Sequence, residues 1–218
     1  MPRGFTDYEK ELIRQRLLEQ GYKQFSAHGL KKANVEELAE AAGISKGAFY
    51  NFYESKEALF MDVAELAEKR FREEVFAAID LPGLSPRARL RAVLKRACSL
   101  FKAIPLLQFF TGTDFDLLLR RIPEAKLQEH LASDQLFFEE LIARCRDAEI
   151  PIRARVEDIR ALLYALVLVI LREDDSVLND FGGAADILLE LIAAFCLGEV
   201  EIQSGRPVRP TSDAAERT

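Results

Sequence analysis

The sequence has no tryptophan, two methionines, two histidines and three cysteines in 218 residues. Cys98, Cys145 and Cys196 are odd in number and lack the paired spacing of a zinc site. Neither a disulfide framework nor a thiolate metal centre is expected of them, and free core thiols in a reducing compartment are. Long apolar runs are missing too. The longest, Ala161 to Leu171, has eleven residues, which suits a buried helix and is too short to cross a bilayer. Met1 to Glu11 is polar and charged, without the apolar region of a signal peptide. A cytoplasmic protein with no membrane partner is the expectation. Prolines fall at 2, 82, 86, 105, 123, 151, 207 and 210, so none interrupts a long apolar-periodic segment. No alternating strand pattern and no internal repeat is found, which leaves an all-α fold.

What is present is an ordinary globular balance, 49% hydrophobic and 30% charged. The net charge of −6 is unevenly spread. Residues 1–60 hold nine Lys/Arg and nine Asp/Glu, so residues 61–218 carry all of the excess. Within residues 1–35 seven basic residues face four acidic ones. An acidic body with a neutral-to-basic head is compatible with nucleic-acid binding through a small local patch.

Helix signals then partition the chain. Ile13, Leu17, Gly21 and Phe25 recur at fourfold spacing, predicting a first helix over about 7–28 that Gly29 ends. Asn34, with Glu37 three residues on, resembles a capping box for a short helix over 35–42, which Gly43 stops. Ser45 caps a third helix to about Tyr53, and Ser55 a long fourth one starting at Lys56 and broken by Pro82-Gly83. Ser85-Pro86 opens a helix with Leu90, Val93, Leu94, Ala97, Leu100, Phe101 and Ile104 at helical spacing. The last two helices, about 156–172 and 181–199, are apolar nearly all round and therefore need burial on every side, which a second subunit can supply. The expected organisation is a three-helix head over 1–55, a helical body over 56–202 and a disordered tail over 203–218.

The stretch from Gly43 to Phe60 supports two chemistries. Gly43-Ile44-Ser45-Lys46-Gly47 satisfies the G-x-S-x-G pattern of a hydrolase nucleophile elbow, with Ser45 as nucleophile. That elbow needs a strand before it and a His and an acid after it. No strand pattern precedes Ser45, His28 comes too early, and His130 sits in a charged helical stretch. The alternative is the turn and second helix of a helix-turn-helix, which accounts for every residue of the segment. Asp114-Phe115-Asp116 lacks the third ligand and the glycine of a calcium loop, and no His/Cys/Glu cluster has metal spacing. No catalytic residue, cofactor or metal is expected, and the chain is not expected to be an enzyme.

The segment from Asn34 to Phe60 resembles the TetR/AcrR family of bacterial transcriptional regulators. The likeness rests on Val35, the Ala-Gly-Ile-Ser run ending at Ser45, Lys46-Gly47, Phe49-Tyr50, Ser55-Lys56-Glu57 and Leu59-Phe60. It covers roughly residues 8–62. Ala33-Asn34 stands where a pair of hydroxyl residues is usual, and Phe52-Tyr53 replaces the commoner aromatic/His-Phe pair, making Tyr53 the support under the recognition helix. The resemblance implies a recognition helix over 45–53 in the major groove of a double-stranded DNA operator. Ser45, Tyr50 and Lys56 match phosphate-side positions, Asn34 stays in the DNA-binding set as a cap that lacks the usual hydroxyl contact to phosphate, Lys46 is the candidate base reader, and Gly47, Ala48 and Asn51 lie where bases or backbone come close. Phe49 reads as core. It further implies a homodimer through the two C-terminal helices, a pseudo-palindromic operator and a small-molecule inducer, usually relieving repression. Phe101, Gln108, Phe109, Phe115, Phe138 and Tyr164 are the candidate linings of an inducer pocket.

Overall fold

A computed structural model describes residues 5–81, 83–109, 121–122, 124–172 and 183–200, and among these every regular element is helical. Helices α1 (Asp7–Lys32), α2 (Val35–Ala41), α3 (Lys46–Phe49) and α4 (Lys56–Ala77) come first. They are followed by α5 (Pro86–Ala103), α6 (Pro105–Gln108), α7 (Glu124–Asp147), α8 (Val156–Arg172) and α9 (Ala184–Cys196). The tail over 203–218, Phe115 with its flanking aspartates, and the expected start of the last helix at Phe181 lie outside the described residues.

Local chemistry sets the boundaries. Thr6 opens α1 with a full capping box: its side chain accepts from the Glu9 amide at 3.3 Å, and the Glu9 carboxylate accepts from the Thr6 amide at 2.7 Å. Gly29, at φ 72° and ψ 169°, breaks the helical path where the first helix was expected to end, and a further turn follows it. Asn34 caps α2 through the Glu36 amide at 2.9 Å, two residues on rather than three as a capping box would have it. Ser45, Ser55 and Ser85 each accept from the amide three residues ahead, at 3.2, 3.1 and 3.3 Å. Helix α3 is shorter than expected. After Phe49 the amides of Asn51 and Phe52 bond carbonyls only three residues back, so the chain tightens into a turn through Phe52. Helix α4 also stops at Ala77, before Pro82-Gly83: the Ala78 and Ile79 amides bond carbonyls three residues back, and the turn leaves Ile79 buried.

Two hydrophobic cores result, and α4 runs through both. The first gathers Ile13, Leu17 and Phe25 of α1, Leu38 and Ala39 of α2, Phe49 and Tyr53, and the α4 side chains from Ala58 to Ala67. Gly21 sits where α1 crosses α4, and a Cβ there would lie 3.0 Å from Val63 Cγ2, so the glycine permits the close crossing. The second gathers Val75 and Ile79 with Leu90, Val93 and Leu94 of α5, Phe137 and Ile142 of α7, Leu166 and Ile170 of α8, and Leu189 to Cys196 of α9. None of the three cysteines is in a disulfide, and burial pushes the Cys145 and Cys196 thiols up to about 11 and about 12, the inert state of core cysteines.

The short helix α6 joins the cores. Leu106 is buried in the first, while its neighbour Leu107 faces a cavity in the second. Phe109 continues the contact, its ring 4.5 Å from Phe60. Two ion pairs reinforce the junction from the other side: Arg121 with the buried Glu57 at 3.1 Å, and Lys126 with Asp62 at 2.6 Å.

Candidate nucleic-acid interface and internal cavity

Helix α3 is mounted from below by aromatics. Phe49 is fully buried, and Tyr53 packs against it with centroids 6.0 Å apart. Tyr50, one residue further, turns outward: it is 52% exposed and meets Phe49 only edge-on at 5.5 Å. With Phe49 pinned inward, Ser45, Lys46, Gly47, Tyr50 and Asn51 are all exposed, and Ala48 is partly so. Asn34 at the start of α2 is exposed as well. All of these candidate DNA contacts are therefore open to solvent, wholly or in part.

These residues have internal bonds that a polyanion would compete with. The Lys46 ammonium lies 3.8 Å from Glu36 on α2, a long pair between two exposed side chains and so a weak one. Ser45 uses its hydroxyl oxygen as the α3 cap, which leaves its O–H to donate elsewhere. Lys56 has a second task that its sequence position did not reveal. Its ammonium donates to the carbonyls of Ala33 at 2.8 Å and Lys31 at 3.1 Å, tying the start of α4 to the end of α1. A lysine ammonium carries three donors, so one remains for a phosphate.

Gly47 is the most telling position. A Cβ added there would meet nothing inside the protein nearer than Ser45 Oγ at 4.0 Å. Its backbone is helical, where alanine is more stable than glycine by about 1 kcal/mol. Among the described residues nothing at this position calls for a glycine. Gly43 differs, since its φ of 79° is required by the turn between α2 and α3.

The hydrolase geometry is not built. Ser45 is a helix cap on a turn that follows a helix, and His130 lies on α7 against Glu68 of α4.

Between α4, α5, α7 and α8 lies a cavity of about 370 Å³. Its wall is mostly apolar and includes Phe71, Phe101, Phe137, Phe138, Leu107 and Tyr164. Of the candidate linings, Phe101, Phe138 and Tyr164 are therefore on this cavity. Gln108 and Phe109 are not on its wall: the Gln108 amide donates to the Lys102 carbonyl at 2.9 Å, and Phe109 packs on Phe60 of the head. The extended backbone of Ile104 ends α5 and Pro105 opens α6, so both residues lie beyond the break in the α5 periodicity. Phe115 lies outside the described residues.

One end of the cavity is polar. Glu68 is buried, and burial together with the neighbouring Asp134 carboxylate pushes its own carboxyl up to about 8, against the pull of Arg72. Arg72 donates to Glu68 at 3.2 Å, Asp134 at 3.0 Å and Ser133 at 2.6 Å. His130 stands beside both carboxylates.

The comparisons with known proteins agree with the head geometry. Residues 17–63 match the family described as bacterial regulatory proteins, tetR family. The head of this chain therefore resembles those of TetR-family regulators. The chain is 33% identical over 90 residues to the HTH-type transcriptional regulator AcrR of Shigella flexneri, 41% of each chain. It is 39% identical over 62 residues to the HTH-type transcriptional repressor AcnR of Corynebacterium efficiens, 28% of this chain and 33% of that one. The chain thus spans well under half the length of these relatives. The fold is similar to that of the fatty acid degradation regulator FadR from Bacillus halodurans, which superposes with a TM-score of 0.58, covering 88% of this chain and 97% of that one at 15% identity. No helix among the described residues is long and apolar enough to cross a membrane.

Proposed function

We propose that this chain is a TetR-family regulator, a homodimeric, cytoplasmic, ligand-responsive repressor that grips a pseudo-palindromic operator through α3 and releases it when a small apolar or amphipathic inducer enters the cavity. The observation that carries the DNA reading is Gly47, a helical glycine on the exposed face with no neighbour of its own to accommodate. With Phe49 and Tyr53 holding α3 from beneath, Lys46, Ala48 and Asn51 are the base readers of that face. Ser45, Tyr50 and the remaining donor of Lys56 are its phosphate contacts, and Asn34 caps α2.

The dimer reading is supported by apolar side chains that this chain alone leaves uncovered. Tyr164 and Leu168 on α8, at i and i+4, and Ile187 and Leu191 on α9, also at i and i+4, are 41 to 64% exposed. Two helices with such stripes make a four-helix seam when duplicated by a twofold axis. Tyr164 thus borders the cavity and also reaches the outer face.

Release follows from α6. A ligand in the cavity presses on Leu107, and Leu106 beside it is part of the head core, so a shift of α6 is felt at the base of α1 and α4. Ligand then favours the form whose two recognition helices no longer fit successive major grooves. The test is selection of bound duplexes from a random pool, followed by release with small-molecule panels. A palindromic consensus, bound with a steep salt dependence and released by an apolar compound, is the expected result. Enrichment of no duplex would refute the reading.

A further inference from the structure

We propose that Glu68, His130 and Asp134 form a binding site for a late first-row divalent metal ion, of the Zn²⁺, Ni²⁺ or Co²⁺ type, at the polar end of the cavity. The inference goes beyond the regulator reading and does not depend on it.

The three residues are far apart in sequence and close in space. His130 and Asp134 are one helical turn apart on α7, and Glu68 faces them from α4. One donor atom from each lies within 4.8 Å of the others. His130 Nδ1 is 3.5 Å from Glu68 Oε1, and Nε2 is 3.7 Å from Asp134 Oδ2. Those separations are too long for hydrogen bonds, which prefer roughly 2.7–3.2 Å. The two carboxylates approach different nitrogens of the ring, and a single ion would take only one of them; the set that could close on it is one donor atom from each residue, already within 4.8 Å of one another.

The second feature is how the carboxylates are held. Each uses one oxygen for Arg72 and leaves the other toward the imidazole. Arg72 Nη2 bonds Glu68 Oε2 and Asp134 Oδ1, while Oε1 and Oδ2 are the atoms nearest His130. Arg72 is itself fixed, by Ser133 Oγ at 2.6 Å and by the Phe137 ring, whose centroid is 5.3 Å away. A hydrogen-bonded outer partner that orients ligating carboxylates is the usual support of a metal centre. One imidazole and two carboxylates suit Zn²⁺, Ni²⁺ or Co²⁺, whereas Mg²⁺ and Ca²⁺ prefer oxygen donors alone. Three protein donors leave a coordination position for water or for a donor atom of a cavity ligand, since all three residues line that cavity.

The test uses the full chain, freed of any affinity tag and of metal by chelation. Titration with Co²⁺ should give visible d–d bands that saturate at one ion per chain and are displaced by Zn²⁺ but not by Mg²⁺. His130→Ala and Asp134→Asn should each weaken binding by about 10- to 100-fold. Asp134 is the more exposed carboxylate, so Asp134→Asn tests the site even if Glu68→Gln fails to fold. No saturable Co²⁺ signal, or binding undiminished in both His130→Ala and Asp134→Asn, would overturn the proposal. A chain that takes up Co²⁺ but binds no duplex would sustain it while removing the regulator reading.

Discussion

The head and the body are both built from amphipathic helices, yet they use their apolar residues in opposite ways. The head closes on itself: Leu17, Leu38, Phe49 and Phe60 are essentially inaccessible, and what it turns outward on α3 is polar. The body leaves a cavity at its centre and an apolar stripe on α8 and α9. A closed core fixes one shape, which suits a surface that must match another rigid surface. A core with a void and an uncovered face has capacity left over, for a ligand and for a second copy of itself.

The contrast can be broken at either end. In the head, Phe49→Ala removes the side chain on which α3 rests and should cost about 3–5 kcal/mol, read as a lower melting temperature together with lost duplex binding. In the body, Ile187→Glu combined with Leu191→Glu should convert a dimer to a monomer in sedimentation while the helical content by circular dichroism stays the same. If the double variant still sediments as a dimer, the stripe is not the seam.

A smaller effect separates the cores by pH. Glu68 has a folded-state value of about 8, above the 4.5 of an ordinary glutamate. Between those values the folded chain binds a proton that the unfolded chain has lost, so stability falls as pH rises through that window. The slope for one such group approaches about 1.4 kcal/mol per pH unit. Melting curves in chelator should show it in the wild type and not in Glu68→Gln. The smallest change expected in stability is from Ala97→Phe, which extends a ring into the cavity from α5. It should abolish release by the inducer while duplex binding in its absence is retained.

How far each region was legible follows from the same contrast. The head is organised by local signals. Ser45, Ser55 and Asn34 cap where their positions relative to the apolar stripes require, and the phase of α3 places Phe49 inside and Tyr50 outside. Thr6 with Glu9 was equally readable as a capping box and marks the start of α1. The length of α3 was not readable, because the tightening after Phe49 depends on Tyr53 turning back under the helix. In the body, periodicity identifies which residues of a helix face inward but not which neighbour they face. Phe101 and Phe138 reach the cavity, whereas Phe109, just past the Pro105 restart, belongs to the head. The cluster of Glu68, His130 and Asp134 joins residues 62 and 66 positions apart, so no spacing rule within one motif could have found it. Lys56 looked like a phosphate ligand from its helix N-terminus; only the fold shows that it also staples α1 to α4.

The central claim is that the exposed face of α3 is shaped for a surface outside the protein, and Gly47→Ala tests it most directly. Melting temperature and affinity for the selected duplex should be measured on the same preparations. The melting temperature should be unchanged or slightly higher, because the position is helical and open within the chain, while affinity falls at least about tenfold, some 1.4 kcal/mol. Full affinity in a stable Gly47→Ala protein would contradict the claim and place the DNA contact elsewhere.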